Sequence, residues 1–207
     1  MYKRQVQAFL EKTPNPPTDQ INAGCYVFRR EIIESIPAGV PVSVERDVFP
    51  HLLETDCRMY GHVDSHYWRD MGTPQDFMQG SADLVQGIAP SPALEGHQGD
   101  YLVLPGADVA ETASLQQGTV VGQGAVVGHN DVVTSSVLFD GAVLGDDVVI
   151  ERSLIGNGAH IGNGCVVRDA VIGDDAIIGD RCELLDGIRV WPGIEIPDAA
   201  IRFSTDA

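Results

Sequence analysis

The chain has 207 residues, 43% of them hydrophobic, and a formal charge of −17, which allows one or two domains with a core of useful size. The acidic excess is shared by both halves. It excludes a general binder of phosphate backbones, which needs a basic face, yet leaves room for a pocket that holds one anionic metabolite through a few local cations. No apolar run approaches the length of a membrane span, and the N-terminus lacks a signal-peptide core. Cys25, Cys57, Cys165 and Cys182 have no C-x-x-C spacing, so they read as reduced thiols of a cytoplasmic protein with no zinc site.

Residues 1–5 are short, basic and unlike the rest of the chain. A strand is expected over 6–10, then a Pro-rich loop over 13–18 and a second strand over 21–28. Ile32, Ile33 and Ile36 fall at helical spacing, which predicts a helix over 29–36 stopping at Pro37. Ser43 is placed to cap a second short helix through Leu53, with Pro50 bending or ending its first part. A further strand is expected over 62–68. Thr73-Pro74-Gln75-Asp76 reads as a helix start, with a Thr cap, Pro at the first position and a carboxylate in the first turn. That helix should reach about Val85. The first part, residues 1–86, therefore alternates strand and helix in the manner of an α/β sheet, too short for a whole nucleotide-binding domain. Residues 87–102 form a linker, and repeats occupy 103–207.

The repeats are the most regular feature. An aliphatic residue returns at Val121, Val127, Val133, Leu138, Leu144, Ile150, Ile155, Ile161, Val167, Ile172, Ile178, Leu184, Val190 and Ile196. Most steps are six residues, but every third is five until Ile172, so Val121, Leu138, Ile155 and Ile172 lie 17 apart. Six residues fit one short strand plus a sharp corner, with Gly or Asn supplying the positive φ of the corner. Three sides close a turn, and turns that cannot bury their apolar side alone must stack as a solenoid. The shortened sides 133–136, 150–153 and 167–170 should lie above one another on one face.

Three clusters hold residues suited to chemistry. In F-L-E-K, Lys12 offers a mobile point charge for a phosphate, and Glu11 can accept hydrogen bonds from sugar hydroxyls. Alone, the pair also fits an ordinary exposed ion pair. In I-N-A-G, Asn22 suits sugar hydroxyls, and Gly24 lets a ligand approach the backbone; an ordinary loop-to-strand junction would look the same. In Y-W-R-D-M-G-T-P, Asp70 precedes a helix start, where a carboxylate can reach a magnesium ion and its phosphates, or simply cap a turn.

Taken in order, F-L-E-K-T, I-N-A-G-C-Y-V-F-R-R, S-V-E-R-D-V-F-P, Y-W-R-D-M-G-T-P and the hexapeptide tail I-G-N-G-A-H-I-G-N-G-C-V resemble the nucleotidyltransferases that make nucleotide sugars, the mannose-1-phosphate guanylyltransferases in particular. The resemblance implies a partial Rossmann-like nucleotidyltransferase domain followed by a left-handed parallel β-helix; the hand comes from the resemblance alone. It also implies that Glu11 and Asn22 contact the sugar, Lys12 its phosphate, and that Asp70 is a ligand of catalytic Mg2+. The implied partners are a sugar 1-phosphate and a nucleoside triphosphate, GTP by preference, within a homo-oligomer. The implied reaction is attack of the sugar-phosphate oxygen on the α-phosphorus of GTP, with pyrophosphate leaving; it needs charge neutralisation and alignment more than a covalent nucleophile.

The departure from that pattern is at the start. The Gly-rich G-x-G-T-R-L loop that cradles nucleotide phosphates, a second metal-binding Asp and the base-reading residues do not occur in these 207 residues. The expectation is a truncated chain, with residues 1–5 not native to it, that holds the sugar side and is inactive alone. A glucose-1-phosphate nucleotidyltransferase is the related alternative. The competing classes are a hexapeptide acyltransferase using His129 or His160 as base, and a non-catalytic assembly or regulatory module.

Overall fold

The computed structural model describes residues 5, 6, 8, 14, 15, 17–55 and 57–202. It divides into two compact units, Met1–Trp68 and Arg69–Ala207.

The first unit holds α1, Arg30–Ser35, a π turn at Val44–Val48 and α2, Phe49–Glu54. Ser43 is the cap expected of it: its Oγ accepts from Arg46 N, and its own N–H donates to Asp47 Oδ2. Pro50 lacks the N–H that would bond the Arg46 carbonyl, and there the π turn gives way to α2. The strands expected at 21–28 and 62–68 are absent; both segments lie without ladder partners. Among the described residues the sole bridge here joins Gln5 and Tyr60. An extended run becomes a strand only when another strand meets its backbone groups, and none is described here. The strand expected at 6–10 falls largely outside the described residues. In place of a sheet, the small core is aromatic. Buried Phe49 meets Tyr26 edge-on at 5.0 Å and stacks on Phe28 at 5.9 Å, tying the 21–28 segment to α2.

The second unit is built on the repeat. Tyr101–Val103, Thr119–Val121, Val137–Leu138, Leu154–Ile155, Val171–Ile172 and Arg189–Val190 are successive neighbours in one six-stranded sheet. Asp108–Val109, Val126–Val127, Val143–Leu144, His160–Ile161, Ile177–Ile178 and Glu195–Ile196 form a second. Ser114–Gln116, Val132–Thr134, Val149–Glu151, Val166–Arg168 and Glu183–Leu184 form a third, of five strands. Every pairing is parallel and joins one coil to the next, which makes a three-sided solenoid of about six turns. Val133 pairs Ile150 and Ile150 pairs Val167, which stacks the shortened sides on one face as their spacing requires.

The aliphatic marks fill the axis: Val121, Leu138, Ile155 and Ile150 have no exposed surface, and Ile172 has 1%. Between them, the inward corners are small. Ala125, Ala142, Ala159 and Ala176 form one buried row, and Asp131, Val148, Cys165 and Cys182 another. Thr119, Ser136, Ser153 and Ala170 form the third, where hydroxyls serve the backbone: Ser136 Oγ accepts from Ser153 N at 3.0 Å, and Ser153 Oγ from Ala170 N at 3.1 Å. A side chain that satisfies a buried N–H stands in for the ladder bond that a tight corner breaks.

Gly or Asn supplies the positive φ at several corners, as expected, at Gly124, Gly141, Gly158, Gly164 and Asn130. Where a Gly directly follows an aliphatic mark, however, it is not the residue with positive φ. Gly156 is there because a Cβ would stand 2.6 Å from the backbone nitrogen of Asp174 in the next coil. The left-handed residue comes two positions later, at Gly158 with φ 61°. Asn130, Asp147, Asp175 and Arg181 take that conformation at equivalent corners. Side chains are tolerated where φ is positive and excluded where coils touch, the reverse of what turn chemistry alone suggests.

Helix α3, Pro74–Val85, also belongs to this unit. Thr73 Oγ1 accepts from Asp76 N at 3.1 Å, with Pro in the first turn, as the sequence predicts. The helix packs on Thr119–Val121 and Tyr101–Val103. Its Ala82 lies so close to Gly118 that a Cβ there would be 2.3 Å from the Ala82 Cβ. Phe77 stacks on Phe139, with centroids 5.9 Å apart. The 87–102 segment, expected as a linker, is fastened to the end of α3: Ile88 N and Ala89 N donate to Asp83 O, and Gly99 N donates to Val85 O.

Candidate functional site

Glu11 and Lys12 lie outside the described residues. Asn22, Gly24 and Asp70 are described, the first two in the first unit and Asp70 in the second.

Asn22 is the hub of a polar cluster over the aromatic core. Its Nδ2 donates to Tyr26 Oη at 2.5 Å and to Glu45 Oε1 at 2.6 Å. Tyr26 Oη donates to the same Glu45 oxygen at 2.8 Å. Asn22 Oδ1 accepts from Gly24 N at 3.1 Å, an Asx turn that sets Gly24 at φ 72°. Among the described residues, nothing lies within 4 Å of where a Gly24 Cβ would stand. Trp68 Nε1 donates to Ala23 O at 3.3 Å, a further tie on the loop. Partial burial beside Phe49, with the Glu45 carboxylate next, raises the Tyr26 phenol above its ordinary value. Sequence reasoning singles out neither Tyr26 nor Glu45, although both sit in the motifs I-N-A-G-C-Y and S-V-E-R. The available signal is Tyr26 four residues after Asn22, and Glu45 within the Ser43-capped turn.

Asp70 is presented by anchored neighbours. Arg69 donates through Nε and Nη2 to Asp83 Oδ2 at 3.1 and 2.9 Å, and Gln79 Nε2 donates to Asp83 Oδ1 at 2.8 Å. Met71 lies over Gly80, where a Cβ would be 2.2 Å from its Cε. Residues on either side of Asp70 thus seat on α3, while Asp70 itself is exposed. No hydrogen bond or ion pair engages its carboxylate among the described residues. Nor do the described residues contain a group of three His, Cys, Asp or Glu side chains able to hold a metal. A single free carboxylate fits a magnesium ion, which takes one or two protein carboxylates and completes its shell with water and substrate phosphates.

The acyl-transfer reading needs a His working between coils. His129 is exposed, with Nδ1 3.4 Å from Thr112 Oγ1, and His160 is exposed on its strand between Val143 and Ile177. No extruded loop breaks the three ladders.

Two family models match parts of the chain. Residues 2–87 match the family model described as Nucleotidyl transferase, and residues 101–201 match the EIF2B subunit epsilon LbH domain, a left-handed β-helix. Mannose-1-phosphate guanylyltransferase of Mycobacterium tuberculosis is 64% identical over 98% of this chain and 56% of its own length. A putative mannose-1-phosphate guanyltransferase of Sulfolobus acidocaldarius is 28% identical over 62% of this chain and 33% of its own. The chain thus spans about half the length of its Mycobacterium relative, and less of the Sulfolobus one. Among solved structures, a mutant of GDP-perosamine N-acetyl transferase from Caulobacter crescentus is 17% identical over 53% of this chain and 55% of that one. Its TM-score is 0.26, a likeness too slight to bear on function.

Proposed function

We propose that this chain, a homologue of the mannose-1-phosphate guanylyltransferases, supplies the sugar side and one metal ligand for the joining of mannose 1-phosphate to GTP. An oxygen of the sugar phosphate bonds to the α-phosphorus, the α–β bridging P–O bond breaks, and pyrophosphate leaves. The observation that carries this reading is the 64% identity to the Mycobacterium enzyme. The Asn22 loop, with no described residue within 4 Å of a Cβ at Gly24, is consistent with it.

In this reading Glu11 and the Asn22 loop hold the sugar, Lys12 holds its phosphate as a mobile cation, and Asp70 holds Mg2+. Bound magnesium would supply charge neutralisation on phosphate oxygens. Arg69 and Met71 keep Asp70 aimed outward without taking up its carboxylate. The 207 residues contain no G-x-G-T-R-L run, so the chain by itself should bind sugar phosphate without turning over.

Calorimetric titration of mannose 1-phosphate into the chain, with and without Mg2+, tests the proposal. Binding strengthened by Mg2+, with the strengthening lost in Asp70→Asn, is the expected result. Equal binding by both proteins in both buffers would refute the role given to Asp70. We also propose association of chains through the flat solenoid faces, where Val132 and Ile177 are exposed, in a reducing compartment that suits four free cysteines. Light scattering reporting a monomer at all concentrations would dismiss the association.

A further inference from the structure

Asn22 has little left to offer a ligand. A carboxamide has two N–H donors and an oxygen with two lone pairs. Both donors are already engaged, by Tyr26 Oη and Glu45 Oε1, and one lone pair takes the Gly24 N–H. The arrangement fixes which end of the amide is which, because the Gly24 N–H needs the oxygen and the Glu45 carboxylate needs the nitrogen. Glu45, by contrast, is exposed, and its Oε2 engages no other group among the described residues. The outward surface of the cluster is therefore made of acceptors and carries a negative charge. Such a surface accepts from hydroxyl groups and repels a phosphate.

We infer that Glu45 is a sugar-binding residue, its free Oε2 accepting a ring hydroxyl, while Asn22 shapes the loop and donates nothing to the substrate. This rests on the sugar-phosphate reading above and sharpens it. The hydroxyl is read by a carboxylate that Tyr26 and Asn22 hold through its other oxygen. A carboxylate pinned at one oxygen keeps a fixed direction at the other, which is what discrimination between epimeric hydroxyls requires. The raised phenol of Tyr26 accords with a charged Glu45 beside it.

The test titrates mannose 1-phosphate and its singly deoxygenated analogues into the chain and into Glu45→Gln, a substitution that keeps size and one acceptor. Thermal melts and the Tyr26 and Phe49 ring signals in NMR check that the loop stays folded. Glu45→Gln should weaken mannose 1-phosphate about tenfold, the low end for a hydrogen bond to a charged group. One analogue, the one lacking the bound hydroxyl, should bind both proteins equally. Binding of every ligand unchanged by Glu45→Gln would overturn the inference and leave the sugar-phosphate reading intact. A uniform loss across all analogues would also overturn it, because the residue would then act on the loop and not on a hydroxyl. If the unaltered chain binds no sugar phosphate, the underlying reading fails first, and this inference with it.

Discussion

Arg69 grips Asp83 through two nitrogens on one carboxylate oxygen, at 3.1 and 2.9 Å, with Asp83 only 3% exposed. This pair joins the loop that carries Asp70 to α3. Asp83→Ala should destabilise the second unit by about 2–3 kcal/mol, since it removes the buried carboxylate on which a half-buried guanidinium rests. Urea unfolding followed by circular dichroism measures it. A change below about 0.5 kcal/mol would mean the pair is no more than a surface contact.

The two glycine positions of a corner should behave differently. Gly156→Ala drives a Cβ to 2.6 Å from Asp174 N, an atom of fixed backbone, and should cost about 3 kcal/mol or more. Gly158→Ala meets the movable Asp175 carboxylate and a left-handed backbone, and should cost about 1–2 kcal/mol. Paired melts of the two variants decide, and equal costs would contradict the distinction between close approach and positive φ.

Asp131 gives the solenoid a pH dependence. Burial pushes its carboxyl up to about 6, against the pull of N–H donors from Gly128 at 2.8 Å and Val148 at 2.7 Å. A carboxyl that holds its proton more tightly folded than unfolded favours the fold most at low pH. Its contribution should thus fall as pH rises from about 4 to about 6, by roughly 2–3 kcal/mol, and stay level above. Carbon-13 titration of the Asp131 carboxyl should give a midpoint near 6. A midpoint at the ordinary aspartate value, about 4, would mean the two N–H donors outweigh burial.

Thiol reactivity should divide the cysteines. Cys165 and Cys182 have no exposed surface, and burial pushes the Cys165 thiol up to about 11, while Cys25 is exposed. Since the thiolate is the reactive form, Ellman's reagent should take Cys25 quickly and the two solenoid cysteines only on unfolding. Rapid reaction of all four in the native chain would contradict the packed corner row.

The two units differ in how far their residues announce their structure, and the reason is physical. A stacked solenoid repeats one local environment, so the 17-residue return of Val121, Leu138, Ile155 and Ile172 specifies register as well as strand. The roles of Gly156 and Gly158 are not separable from sequence, because an approach between coils is not a local property. Thr73 and Pro74 announce the start of α3, but nothing near Ala82 foretells that it lies against Gly118. In the first unit the strand-like runs at 21–28 and 62–68 have the right composition and no partner strands. Their apolar residues cluster instead around Phe49 or remain exposed, as Val27 does. Asn22 is legible as a polar residue at a Gly-bearing turn. That Tyr26 and Glu45 engage its donors depends on the 23-residue separation that folding closes between Asn22 and Glu45.

The measurement that bears most directly on the functional reading is a pair of titrations on the purified chain, mannose 1-phosphate and GTP, each with Mg2+, beside a pyrophosphate-release assay. Saturable binding of mannose 1-phosphate, without GTP turnover, is the expected result. Acetyl-coenzyme A binding with no affinity for any sugar 1-phosphate would contradict the reading and make the solenoid, not the Asn22 loop, the seat of function.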